Sequence, residues 1–98
     1  MNKVSSFTKE ISYIKDENNN KKLHEKFSSY SKNKLGLKKE LTEYVLVATG
    51  TTTTAENGET VYVIRLYEKT GEATNNTLAF NENGNYVFDY EKNKYVEL

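Results

Sequence analysis

Apolar residues near the start of the chain recur with the period of an α-helix. A first group, spaced by three, four and three positions, consists of Val4, Phe7, Ile11 and Ile14. A second group, spaced by four and three positions, consists of Leu23, Phe27 and Tyr30. Either spacing places its side chains on one face of a helix. A strand over the segment EISYI is the alternative for part of the first group.

The two groups do not share one helical phase, and residues 18–20 between them are all asparagine. Asparagine favours turns over helix interiors, because its short amide competes for main-chain hydrogen bonds. We therefore predict two helices, over residues 4–14 and 23–34, with a break at residues 18–20. Gly36 follows the second group and suits the left-handed position that ends a helix.

After residue 43 the pattern changes to short segments of β-branched and aromatic residues, which favour strands. The segments are YVLVATGTTTT, TVYVIRLYEKT, TLAF, NYVFDY and YVEL. Asn57 and Gly58 separate the first two segments, and an Asn-Gly pair is typical of a tight hairpin turn. Further turns are predicted at Gly71 and at the next Asn-Gly pair. The pattern predicts a four- or five-stranded antiparallel meander.

The order of these elements predicts an α+β protein with a single domain over residues 1–98. A helical segment, residues 1–36, is expected to pack on one face of the sheet formed by residues 44–98, because a sheet of this size must bury one face. The order of elements resembles the cystatin-like and NTF2-like folds, in which helices lie against a curled antiparallel sheet. The resemblance covers the element order and no sequence motif.

Alternation along the strands indicates which side chains face the helices. The predicted inward residues of the second and third strands are Tyr62, Ile64, Leu66, Leu78 and Phe80. In the first strand the pattern allows either of two pairs, Tyr44 with Leu46 or Val45 with Val47. Arg65 indicates that the opposite face is solvated.

Composition limits the classes of function. A chain of 98 residues is long enough for one modest core. It has no cysteine, which excludes disulfides, thiolate nucleophiles and cysteine-based zinc sites. No apolar run reaches the roughly 18 residues of a membrane-spanning helix. The chain uses thirteen lysines, one arginine and twelve asparagines, a bias that A/T-rich codons produce and that indicates a low-GC bacterium, a phage or a mobile element.

Charge is balanced over the whole chain but unevenly distributed. Residues 1–39 carry ten lysines against four acids, whereas residues 40–98 carry four basic residues against ten acids. A basic helical segment docked on an acidic sheet explains this asymmetry, and a basic face for an acidic partner is the alternative. Nucleic-acid binding is not expected, because the lysines and the aromatic residues fall on different elements and only one arginine is present.

The chain has few side chains suited to catalysis or metal binding. His24 is the one histidine, and the helical pattern places it on the polar side of its helix, where we expect it to be solvated. The segment NENGNYVFDYE has the glycine of a calcium-binding loop, but alignment on Gly84 puts Ala79 and Tyr90 at the terminal ligand positions. We expect no catalytic residues, no metal site and no cofactor, and therefore a protein that is not an enzyme.

Tyrosines near the C-terminus are the main candidates for a binding surface. Tyr86 and Tyr90 flank Phe88 on one face of their predicted strand, since successive side chains alternate. Two interpretations are open. The rings could be core, or they could form an exposed strip that binds a partner, since tyrosine buries a large rigid area and keeps a polar tip. The residues predicted to bind a partner are Arg65, Tyr67, Tyr86, Tyr90 and Tyr95.

These expectations favour a non-catalytic protein-binding module, such as an inhibitor, immunity or accessory protein, whose partner is another protein or a second copy. The alternative is a pocket-forming cystatin-like or NTF2-like domain of a bacterial surface lipoprotein or secretion component. We expect a cytoplasmic location, or the cell surface or extracellular space if a signal peptide or lipid anchor has been removed.

Overall fold

A computed structural model describes residues 17–98, which form one α-helix, a single 3₁₀ turn and a five-stranded sheet. The helix α1 spans Glu17–Phe27 and the 3₁₀ turn spans Leu41–Glu43. The strands are β1 (Tyr44–Thr54), β2 (Thr60–Glu68), β3 (Ala73–Asn81), β4 (Gly84–Asp89) and β5 (Lys94–Glu97). Every neighbouring pair is antiparallel and the strand order is β1-β2-β3-β4-β5. The predicted antiparallel meander is confirmed, with five strands.

The predicted helix boundaries are wrong for the part of the chain that the structure describes. The helix α1 runs through residues 18–20, where a break was predicted, and ends at Phe27 instead of residue 34. Tertiary contacts outweigh the low helix propensity of asparagine, because Leu23 and Phe27 are buried and the Asn20 side chain bonds to the sheet. The predicted helix over residues 4–14 lies outside the described residues.

The segment after α1 is stabilised by local turns. Leu37 N donates to Lys32 O at 2.8 Å, and Gly36 N donates to Asn33 O at 3.2 Å. This pair of bonds is the Schellman arrangement, which requires a left-handed residue at its glycine, and Gly36 has φ +71°. The prediction for Gly36 is confirmed in its conformation, although the residue closes a separate turn and not α1.

The first core lies between α1 and one face of the sheet. Its buried side chains are Leu23, Phe27, Leu35, Leu37, Leu41, Tyr44, Leu46, Ile64, Leu66 and Leu78. The inward prediction is therefore right for Ile64, Leu66 and Leu78, and of the two open pairs in β1 it is Tyr44 with Leu46 that faces the helix. Phe80 is half-buried beside this core. Tyr62 lies on this face of the sheet, beside Phe80, but it is 50% exposed and does not join the core.

A second core lies on the opposite face of the sheet, which was expected to be solvated. It contains Ala55, Val61, Ala79, Tyr86 and Tyr95. Each of the first two ladders contains a register shift, and a bulge at such a position increases local twist, so the sheet can curl over these residues. In β1 the bulge lies between Ala48 and Thr52 and contains Gly50, which has φ +82°.

The curl brings the tip of the β1–β2 hairpin against β5. Glu56 N donates to Tyr95 O at 2.8 Å, and the Glu56 carboxylate lies 3.1 Å from Lys92 Nζ. The Asn57 side-chain amide donates to the Tyr86 hydroxyl at 3.1 Å. The hairpin tip thus covers the second core and supplies a partner for the hydroxyl of its largest residue.

Because Tyr86 is fully buried, we expect its substitutions to act on stability. Tyr86→Ala should lower the free energy of unfolding by about 3–5 kcal/mol, by analogy with buried Phe→Ala. Tyr86→Phe keeps the ring and should cost about 1 kcal/mol, because the side-chain amides of Asn57 and Asn81 lose the hydroxyl that accepts from them. Urea titrations followed by circular dichroism measure both values.

Tyr90→Ala is the matched control, because Tyr90 follows the same strand and is 63% exposed. It should change the free energy of unfolding by less than about 1 kcal/mol. Equal losses for Tyr86→Ala and Tyr90→Ala would contradict the placement of Tyr86 in the second core.

Candidate functional site

Three of the four tyrosines predicted to bind a partner are buried within the chain. Tyr86 has no exposed surface, and Tyr67 and Tyr95 expose 7% and 8% of theirs. Burial raises the pKa of the Tyr95 hydroxyl, which is hydrogen-bonded to Thr77 Oγ1 at 2.8 Å. The predicted exposed strip is therefore wrong for these three rings. Strand alternation shows which side chains share a face, but it does not show that the face is covered.

Tyr90 and Arg65 are the two predicted residues that lie at the surface. The Tyr90 ring packs edge-on against Phe88, with centroids 5.0 Å apart, and its hydroxyl donates to Asn75 O at 2.6 Å. The Arg65 guanidinium lies 5.4 Å from the centroid of the Tyr67 ring. Arg65 lies in β2 and Tyr90 follows β4, so different strands carry the two residues. Binding by either residue stays a prediction.

The strand β1 forms one of the two edges of the sheet. The helix α1 forms hydrogen bonds with main-chain groups in the first part of this edge. Leu46 N donates to the Asn20 side-chain oxygen at 2.8 Å, and His24 Nε2 lies 2.9 Å from Tyr44 O. Because Tyr44 O can only accept, Nε2 carries the proton. Because both main-chain groups bond to α1, both point away from β2, as expected for residues two apart in a strand. Asn20 and His24, one helical turn apart, therefore take the place of a sixth strand.

Sequence reasoning placed His24 in solvent and missed this contact. The available signal is the position of Asn20 and His24 four residues apart, beside the apolar residues Leu23 and Phe27. Four residues apart means one helix face. A polar pair that flanks a buried stripe is well placed to reach main-chain groups at the margin of the core.

The second part of the β1 edge is exposed. Residues 51–54, all threonine, are exposed, and we call this segment the threonine edge. Ala55 N donates to Glu59 O at 2.8 Å, so the main-chain groups of Ala55 point toward β2. By alternation, those of Thr52 and Thr54 point away from β2. Within residues 17–98, no bond from outside the β1–β2 ladder reaches these groups.

Aromatic side chains adjoin the threonine edge on the α1 side of the sheet. Thr52 pairs with Tyr62 across β1 and β2, and Tyr62 pairs with Phe80 across β2 and β3. The two rings are in contact, with centroids 5.6 Å apart, and Lys26 Nζ lies 4.9 Å from the Phe80 centroid. This row of side chains begins at the edge and ends under the C-terminus of α1.

A groove of about 330 Å³ lies between α1 and the 3₁₀ turn. Its walls include the apolar residues Phe27 and Leu41 and the polar residues Lys21 and His24. Burial lowers the pKa of His24, and Lys69 lowers it further, although the bond to Tyr44 O acts in the opposite direction. The groove is thus mainly apolar, and the lowered pKa favours the neutral form of His24 near neutral pH.

Across residues 17–98, no three His, Cys, Asp or Glu side chains are grouped so that they could hold a metal ion. The described helix is neither long enough nor apolar enough to cross a membrane.

The lowered pKa of His24 predicts a pH-dependent stability. The unfolded chain, with His24 near its ordinary pKa of 6.5, takes up a proton at a higher pH than the folded chain does. The contribution of His24 is therefore present above pH 6.5 and is lost as pH falls through the lower folded pKa. Urea titrations at a series of pH values between neutral and mildly acidic measure this loss.

His24→Gln is the matched variant, because its side-chain amide can still donate to Tyr44 O and does not titrate. Its stability should fall less than that of the wild type over the same pH range. Identical pH profiles for the two proteins would contradict a perturbed His24.

Comparisons with protein-family models, with curated proteins and with solved structures find no match to this chain. Function is therefore inferred from the geometry of the described residues.

Proposed function

We propose that the chain is a non-catalytic protein-binding module that adds an extended segment of another polypeptide to the threonine edge of β1. The proposal depends on one observation: the outward main-chain groups of Thr52 and Thr54 lie in an exposed segment without a partner among residues 17–98. An inhibitor, immunity or accessory protein of a bacterium, phage or mobile element is the corresponding biological role.

Strand addition suits this edge physically. An incoming strand would form main-chain hydrogen bonds with Thr52 and Thr54, which supply affinity with little dependence on sequence. Threonine favours the extended conformation, so these residues lose little conformational entropy when they pair with another strand. The incoming side chain next to Thr52 would extend the row that contains Tyr62 and Phe80. We therefore expect bound segments to carry, at this position, a side chain that packs against aromatic rings.

The other edge positions of the sheet are less suited to an incoming strand. The first part of β1 is bonded to Asn20 and His24 of α1. At β5, Tyr95 O already accepts from Glu56 N, and Lys94 and Glu97 place charges on a strand of four residues. Short strands and charges are the usual means of protecting an edge. The threonine edge carries no charge and has no bond from another element among residues 17–98.

A second candidate is a pocket-forming domain of the cystatin-like or NTF2-like kind that binds a small ligand. The groove of about 330 Å³ beside His24 favours it, because this volume lies at the lower end of the range for small-molecule sites. The groove is lined by both Lys21 and Glu25, so the charge of such a ligand is not set by the site.

Selection of peptides from a random display library on the immobilised protein tests the strand-addition proposal. Peptides enriched on the wild type should bind Thr52→Pro about tenfold more weakly or worse. Proline removes the outward N–H, whose hydrogen bond contributes about 1 kcal/mol, and its ring obstructs the incoming strand. Titrations of the enriched peptides by fluorescence anisotropy measure the ratio.

Thr52→Val is the matched control, because valine has nearly the same shape as threonine and keeps the N–H. It should bind the same peptides within about threefold of the wild type, as expected for a surface substitution. Circular dichroism of Thr52→Pro establishes that the variant is folded. Peptides that bind the proline variant as well as the wild type, or a selection that enriches none, would refute strand addition at this edge.

A further inference from the structure

We infer that the threonine edge pairs with the same edge of a second copy of this chain, as a reversible two-fold dimer. This inference rests on the proposed function and names the partner strand. It is carried by the position and chemistry of residues 51–54, which are exposed on the outer side of β1.

The register follows from which groups point outward. A two-fold axis at Thr53 would place Thr52 opposite Thr54 of the second copy, and Thr54 opposite Thr52 of the second copy. Thr52 and Thr54 are the residues whose main-chain groups point away from β2, so each such pair can exchange two main-chain hydrogen bonds. Thr53 would then face its own symmetry mate across the axis, as a pair without main-chain bonds.

Side-chain chemistry also suits self-pairing. Residues 50–54 contain no charge and no proline, so a symmetric approach brings no like charges together at the edge. Cross-strand threonine pairs are favourable in antiparallel sheets. The whole chain has a formal net charge of zero at pH 7, so two copies do not repel each other over long distances.

The fold also explains why this pairing would close at two copies. At one end of the threonine edge the chain enters the bulge that contains Gly50, and beyond it the edge is occupied by α1. The distal strand β5 is bonded to the hairpin tip at Tyr95. An isologous pair of β1 edges therefore leaves no second equivalent edge for growth into a fibre.

A contact limited to a few residues on each side predicts weak association. Interfaces below about 1,200 Å² are typical of transient complexes. We expect the dimer to dissociate with a constant of about 10 µM to 1 mM, a range that concentration-dependent sedimentation can measure.

A charge introduced at Thr53 tests the two-fold register directly. Thr53→Lys and Thr53→Glu each place like charges opposite each other across the proposed axis, and each should be monomeric by itself. An equimolar mixture of the two variants should recover a dimer, because the axis then joins opposite charges. Thr53 is exposed, so neither charge is buried in the monomer, and circular dichroism establishes that both variants fold.

Thr60→Lys and Thr60→Glu are the matched controls, because Thr60 is exposed on β2 and is one strand removed from the edge. Both should associate like the wild type. A wild type that stays monomeric to about 1 mM, or a dimer that persists in both Thr53 variants, would overturn the inference.

The two proposals fail in different ways. If the wild type does not self-associate but the enriched peptides still require the Thr52 N–H, the second copy is not the partner. Strand addition at this edge then stands. Peptides that bind Thr52→Pro normally would refute the proposed function, whatever the oligomeric state.

Discussion

The hydrogen bond from Glu56 N to Tyr95 O joins the first hairpin of the sheet to its last strand, and the cover of the second core depends on this contact. It holds the sheet in a curled form, so that a second core can form on the face opposite α1. Tyr86 is buried there because the hairpin tip lies over it, with Asn57 bonded to its hydroxyl. The same contact occupies β5 and leaves the exposed part of the edge on β1.

The two edges of the sheet thus differ in how they are protected from pairing with another strand. At β5 a main-chain bond and flanking charges oppose further pairing. At β1 protection is divided, because α1 supplies Asn20 and His24 to the first part and reaches no further along the strand. The bulge at Gly50 lies between the protected part and the threonine edge. This division confines any added strand to a short segment, which favours a specific and reversible contact over aggregation.

Local sequence patterns determined the strands, the turns and part of the core that faces the helix. Alternation of apolar and polar residues placed Ile64, Leu66 and Leu78 correctly, because a strand with one buried face has a period of two. Gly36 was identified as a left-handed residue because few other residues adopt that conformation. These features depend on neighbours a few positions away, which the sequence displays directly.

Tertiary structure decided what each face and edge is used for. The sequence could not show that Tyr67, Tyr86 and Tyr95 are buried, because their cover comes from the curl of the sheet and not from strand alternation. It could not place His24 against Tyr44, twenty residues away, because a helical pattern indicates a polar side but not what that side meets. By itself the sequence determined which residues form strands and which side chains share a face. Only the fold decided which faces are covered and which edge remains exposed, because burial depends on segments that are distant along the chain.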